Sequence, residues 1–249
     1  MDTMKITLPH ILISLPSVLI AITAVFFIFQ NPAQFGNESL LVRALIWNLV
    51  IVALLVALYP FNRFLGGKPG IYGIVVCLLA VIPAFVYFLY LLPRQAGEGI
   101  LAEQLQSELI TDSSSNGIIE VGFRYPIYTP TISVKNLELF TRQANIFLRI
   151  TDANGDNALF RGVRSEISGP GLTVEATVQG MLSGNTGYLF NPLDLPPNHE
   201  VIGRSIFIIS NLEDGSAFTE ALTRAYQAQF ELRDPNNGQL LLEFPLNQI

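Results

Sequence analysis

The chain has 249 residues, half of them hydrophobic, with a mean hydropathy of +0.44 and a formal net charge of −6. That hydropathy is high for a soluble protein, and the charge is divided unevenly, +2 over residues 1–93 and −8 over residues 94–249. An acidic second part with no basic run repels nucleic acid, which is bound through Lys and Arg clusters, and the single Cys77 excludes a disulfide within the chain.

Three apolar runs come first, Ile11–Phe29, Leu40–Tyr59 and Ile71–Leu92. A helix needs about 20 apolar residues to cross a hydrocarbon core of roughly 30 Å. The spacing therefore predicts a membrane domain over residues 1–93, with three transmembrane helices at about 11–29, 40–59 and 71–92. The first run is longer than the core of a signal peptide and no small-x-small site follows it, so it reads as an uncleaved helix. Pro16 and Pro83 predict kinks, since each removes a helical N–H. Arg43 stands near the start of the second run, able to snorkel to the interface, with Trp47 one turn on along the same face. The link Phe61–Gly70 carries Arg63 and Lys68 and no acid. Positive-inside reasoning puts it in the cytoplasm, with the N-terminus inside and the C-terminal domain outside. The expected location is a bacterial inner membrane, with that domain periplasmic or extracellular. Asn48 is the clearest polar group within a span; it reads as helix-packing glue or as part of a polar pathway. No span carries an ionisable group near its middle, the usual mark of an ion pathway.

Residues 94–116 read as an amphipathic helix and linker. Leu101, Leu105 and Leu109 recur every fourth residue in Glu98–Ile110, and Thr111–Gly117 is polar. Residues 117–249 read as an extracytoplasmic all-β domain. Expected strands are Ile118–Arg124, Thr131–Phe140, Asn145–Thr151, Ala158–Val163, Leu172–Val178, Val201–Ser210, Leu222–Arg233 and Gln239–Pro245. Hairpin turns are expected at Asp152–Asp156 and Asp234–Gly238, and Ser216–Gln227 reads alternatively as the start of a short helix. The fold expected is an antiparallel β-sandwich of Ig-like architecture.

This plan of membrane helices followed by an outer sandwich is similar to that of subunit two of haem-copper oxidases. The likeness is architectural: a cupredoxin copper site needs Cys and His ligands, and the outer domain has no Cys and only His199.

The remaining candidates each have a plain structural reading. Asp152, Asn154 and Asp156 share the spacing of the first calcium ligands of an EF-hand. The loop's sixth position is Asn157 and its twelfth Val163, so a hairpin turn is the ordinary reading and weak calcium binding the other. Tyr125, Tyr128 and Tyr188, with Phe123, make either an aromatic platform for glycan or peptide or sheet packing. No GxSxG, HExxH or phosphate-loop signature occurs. No enzyme activity, cofactor or metal is therefore expected. Two functions are: an accessory subunit of a membrane protein complex, with other membrane subunits and the bilayer as partners, or a membrane-anchored binding module for an envelope glycan or peptide. Asn48 and the turn residues Glu213 and Asp214 are the candidate partner contacts.

Overall fold

The computed structural model describes residues 8–65, 68–106, 127–151, 155, 157–167, 173–209 and 227–246. The chain divides into two compact units, Met1–Ala96 and Gly97–Ile249.

The first unit is helical: α1 (Leu8–Gln30), α2 (Pro32–Asn37), α3 (Leu40–Leu58), a 3-10 stretch Tyr59–Leu65, α4 (Pro69–Val86), a π turn Tyr87–Leu91, and α5 (Leu92–Arg94). Three segments, Leu12–Gln30, Leu40–Asn62 and Pro69–Leu91, are long and apolar enough to cross a membrane, as the sequence predicts. Helices suit them because lipid offers no partner for backbone N–H and C=O groups. Ser39 caps α3, accepting from the Val42 N–H at 3.4 Å. Pro32 and Pro69 open α2 and α4, where a missing N–H costs nothing. Pro16 and Pro83 lie inside α1 and α4. Helix α3 packs on both α1 and α4, and Ala21, Val50, Ala53, Ala57 and Val76 are buried. The alanines let helix backbones approach closely. The Tyr72 hydroxyl donates to the Leu55 carbonyl.

The second unit holds β1 (Ile100–Gln106), β2 (Ile127–Tyr128), β3 (Thr131–Asn136), β4 (Arg142–Thr151), β5 (Asn157–Arg161), α6 (Val174–Leu182), β6 (Tyr188–Leu189), β7 (Leu193–Leu195), β8 (Glu200–Ser205), β9 (Phe207–Ile208), β10 (Gln227–Arg233) and β11 (Leu240–Pro245). A four-stranded sheet runs β1-β3-β8-β6; a five-stranded sheet runs β11-β10-β4-β5, with β7 also on β4; β2 pairs β9. Among the described strands every pairing is antiparallel except β6 with β8, so the sheets are antiparallel and mixed, and not closed. Alternate residues build one core from both sheets: Ile100, Ile132 and Val134 from one, Ile146, Leu148, Phe230, Leu232 and Phe244 from the other. A smaller cluster joins Ile127, Val163, Val178 and Ile206.

The strands on either side of both expected turns pair, with residues 152–154 and 156 of the first turn outside the described residues. Thr151 pairs with Asn157 across β4 and β5. Between β10 and β11, Gly238 at φ 71° donates to the Asp234 carbonyl at 2.9 Å, and the Asn236 N–H donates to Asp234 Oδ1 at 2.7 Å.

Three expectations are corrected. The expected helix over 98–110 is strand β1 as far as Gln106, within the unit Gly97–Ile249. Ile100 and Ala102 face the core, whereas Leu101 and Leu105 face out. Residues four apart share a face in a strand as well as in a helix, so the leucine spacing fits either. The same ambiguity explains the expected strand Leu172–Val178, which is helix α6 from Val174. Thr173 caps it, accepting from the Ala176 N–H at 3.1 Å, and Val178 is buried beneath it. The expected strand Val201–Ser210 breaks at Ile206 into β8 and β9, which pair with β3 and β2 respectively. Ile118–Arg124 and most of Ser216–Gln227 lie outside the described residues.

Candidate functional site

On α3, Leu41, Leu45, Asn48 and Val52 follow one another at the three- and four-residue steps of a single helix face, and all are exposed. Asn48 Nδ2 donates to the Ala44 carbonyl of its own helix at 2.8 Å. That bond uses one of the amide's two donors and leaves Oδ1 to be met by another group. In hydrocarbon such an acceptor seeks a second helix.

Rings converge at one end of the helical unit. Phe35 meets Trp47 edge-on at 6.5 Å, Trp47 meets Phe88 at 6.2 Å, Phe88 meets Tyr87 at 5.3 Å, and Tyr87 meets Phe29 at 4.9 Å. Arg94 stacks over Tyr90 at 3.9 Å. This is the aromatic and basic signature of a membrane–water interface, on Leu40's end of α3.

In the second unit, the outer face of the four-stranded sheet is built by register. Leu101, Lys135 and Glu200 form one row across β1, β3 and β8; Glu103, Ser133 and Ile202 form the next. Leu101, Leu105 and Ile202 are 55%, 45% and 53% exposed. Small Ser133 between them is buried and donates to Glu200 Oε1 at 2.6 Å. The result is an apolar patch threaded with single charges, the composition of an interaction surface. A groove of about 430 Å³ borders it, lined by Leu101, Glu103, Ser133, Lys135, Glu200 and Phe244 among others.

The outer face of the five-stranded sheet is closed by its own charges. Glu231 on β10 is fully buried and clamped by Arg149 on one oxygen and by Arg233 on the other, at 2.6 Å. Arg149 also pairs with Glu243 on β11 at 2.6 Å. Arg233 lies over the Phe147 ring at 5.4 Å. Away from both faces, Arg164 grips Glu175 of α6 with its side chain and backbone at 3.0–3.2 Å. Partial burial pushes the Glu175 carboxyl up, but the Arg164 hydrogen bonds and the charges of Arg164 and Arg161 outweigh it, so Glu175 titrates below the ordinary carboxylate range.

The sequence candidates are scattered. Tyr128 is buried, stacked on Phe207 at 6.4 Å, so it packs the core and presents no ring to a ligand. Tyr188 is half-buried against the smaller cluster. His199 is exposed, its Nδ1 2.9 Å from the Pro197 carbonyl. Tyr125, the calcium-spaced Asp152, Asn154 and Asp156, and the turn residues Glu213 and Asp214 lie outside the described residues. Among the described residues no group of three or more His, Cys, Asp or Glu side chains comes together around a metal-sized space. The surface that sequence reasoning missed is Leu101–Leu105–Ile202; its signal was the alternation of Leu101, Glu103 and Leu105.

No family model matches the chain, and no curated protein does. Among solved structures, the X-ray structure of Northeast Structural Genomics Consortium target SoR45 is similar at 16% sequence identity, over 61% of this chain and 89% of that one, with a TM-score of 0.27. A score that low carries no argument about fold or function.

Proposed function

We propose that the protein is a non-catalytic accessory subunit of a membrane protein complex. Its helices dock laterally on partner helices, and its outer unit docks on a partner's outer domain. In this reading the two sheets form an antiparallel β-sandwich of Ig-like architecture, supported by the core they share. The N-terminus lies in the cytoplasm and the outer unit in the periplasm of a bacterial inner membrane, supported by Arg63 and Lys68 in the link between the second and third spans.

The observation that carries the reading is Asn48: an amide whose acceptor has no hydrogen-bond partner among the described residues, set in an exposed stripe of Leu41, Leu45 and Val52. Lipid gives that oxygen nothing, whereas a partner helix with a hydroxyl or amide does. The patch around Ile202 supports docking outside the membrane.

The test is purification of the full chain in mild detergent from its native source. A stoichiometric partner polypeptide is expected. Asn48→Leu weakens its retention by about 1 kcal/mol, roughly fivefold. A lone monomer, unchanged by Asn48→Leu, refutes the reading. One observation favours the second reading, a membrane-anchored binding module for an envelope glycan or peptide: the groove beside Ser133 mixes apolar wall with Glu103, Lys135 and Glu200.

A further inference from the structure

Opposite the Asn48 stripe, α3 carries a different set of residues. Arg43, Trp47, Val50 and Ile51 follow one another at helical spacing on one face. Arg43 stands in the first turn, and its Nε is buried with no hydrogen-bond partner among the described residues. Arg43 lies one turn before Trp47 on this face, and a helical side chain leans toward the N-terminus, away from the apolar middle of the span. Below it, Trp47, Val50 and Ile51 form one wall of a groove of about 400 Å³ whose other wall is the third span, chiefly Ala84, Phe85 and Phe88. The lining is almost wholly apolar, and Ala80 and Ala84 open it where larger residues would fill it.

We infer that Arg43 and this groove form a site for one anionic phospholipid. The guanidinium holds the phosphate, the Trp47 ring sits at the glycerol level, and one acyl chain lies along the groove between α3 and the third span. Each part supplies what the other lacks. A buried, unpartnered guanidinium N–H needs an acceptor, and phosphate oxygens match its planar fork. An apolar groove under that acceptor needs an apolar chain, and a phospholipid joins the two. The headgroup is anionic because a zwitterionic one brings its own cation to its phosphate, whereas Arg43 is one of the basic groups that give residues 1–93 their net charge of +2. The inference is independent of the subunit reading, since it uses the opposite face of α3.

Trp47 is the only tryptophan in the chain, so its fluorescence reports on this groove alone. The full chain is reconstituted in phosphatidylcholine vesicles containing a minor fraction of phosphatidylglycerol brominated on its acyl chains. The control replaces it with the same fraction of brominated phosphatidylcholine. Brominated phosphatidylglycerol is expected to quench Trp47 as though enriched roughly fivefold over its bulk fraction. Arg43→Gln removes the enrichment and Arg43→Lys keeps part of it. Ala84→Leu fills the groove and lowers the quenching with the guanidinium intact. If Arg43→Gln fails to insert, Ala84→Leu decides. Equal quenching by the two lipids, or enrichment that survives Arg43→Gln and Ala84→Leu, overturns the site.

Discussion

The two sheets of the outer unit treat their solvent-facing sides in opposite ways. The five-stranded sheet closes its centre with long charged side chains: Glu231 is buried between Arg149 and Arg233, and Glu243 completes the ladder. Its exposed leucines, Leu159 and Leu240, stand apart on edge strands β5 and β11. The four-stranded sheet has small Ser133 at its centre, and Leu101, Leu105 and Ile202 stand open around it. The first face satisfies itself; the second is left open among the described residues. A docking surface is recognised less by its apolar residues than by the absence of neighbours able to fold over them.

Removing β1 breaks the comparison most severely. A fragment of residues 97–249 is expected to fold as a β-rich unit. One starting at residue 107 loses buried Ile100 and leaves β3 as a bare edge, a cost of at least about 4 kcal/mol. Far-UV circular dichroism and urea unfolding of the two fragments measure it, and equal stability would place β1 outside the fold. Next comes the closed face: Glu231→Gln leaves Arg233 without its carboxylate and Arg149 with Glu243 alone, and lowers stability by about 3 kcal/mol in the same assay. A loss below about 1 kcal/mol would mean the ladder is solvated and the two faces differ less than argued.

The open face behaves differently. Ile202→Asp changes unfolding by no more than about 0.5 kcal/mol, since the side chain is already half in water. It weakens partner association about tenfold if Ile202 lies at the centre of the contact, as quantitative pull-down from detergent will read. The smallest effect belongs to Glu175 and Arg164. Because the folded-state pKa of Glu175 is lowered, the pair stabilises fully above the ordinary carboxylate range, and the contribution fades as pH falls through that lowered value. Arg164 is well exposed, so screening holds the contribution to about 0.5 kcal/mol. Glu175→Gln should flatten stability against pH by that amount on the acid side and lower it slightly at neutral pH.

Much of the fold was legible because its signals are one-dimensional. Span length decided the three helices, and turn chemistry at Asp234–Gly238 decided a hairpin. Two of the three failures share one cause. Leu101 and Leu105 lie four apart and are in a strand; Val174 and Val178 lie four apart and are in a helix. That spacing fits both periods, and the deciding evidence was elsewhere: Thr173 as an N-cap for α6, and, for β1, Val134 and Lys135 waiting on β3 to pair with Ala102 and Leu101. The break at Ile206 was hidden because IFIIS is apolar throughout and carries no mark of a change of sheet. The candidate surfaces were half legible. Asn48 stood out as an amide within a span, whereas the patch of Leu101, Leu105 and Ile202 depends on strands distant in sequence being brought into register.

The most direct test of docking is photocrosslinking in intact cells, with p-benzoylphenylalanine placed at Asn48, at Ile202 and, on the closed face, at Leu159. The account predicts a discrete adduct with the same partner complex from positions 48 and 202, and none from 159. Adducts from all three positions alike, or from 159 alone, would contradict it.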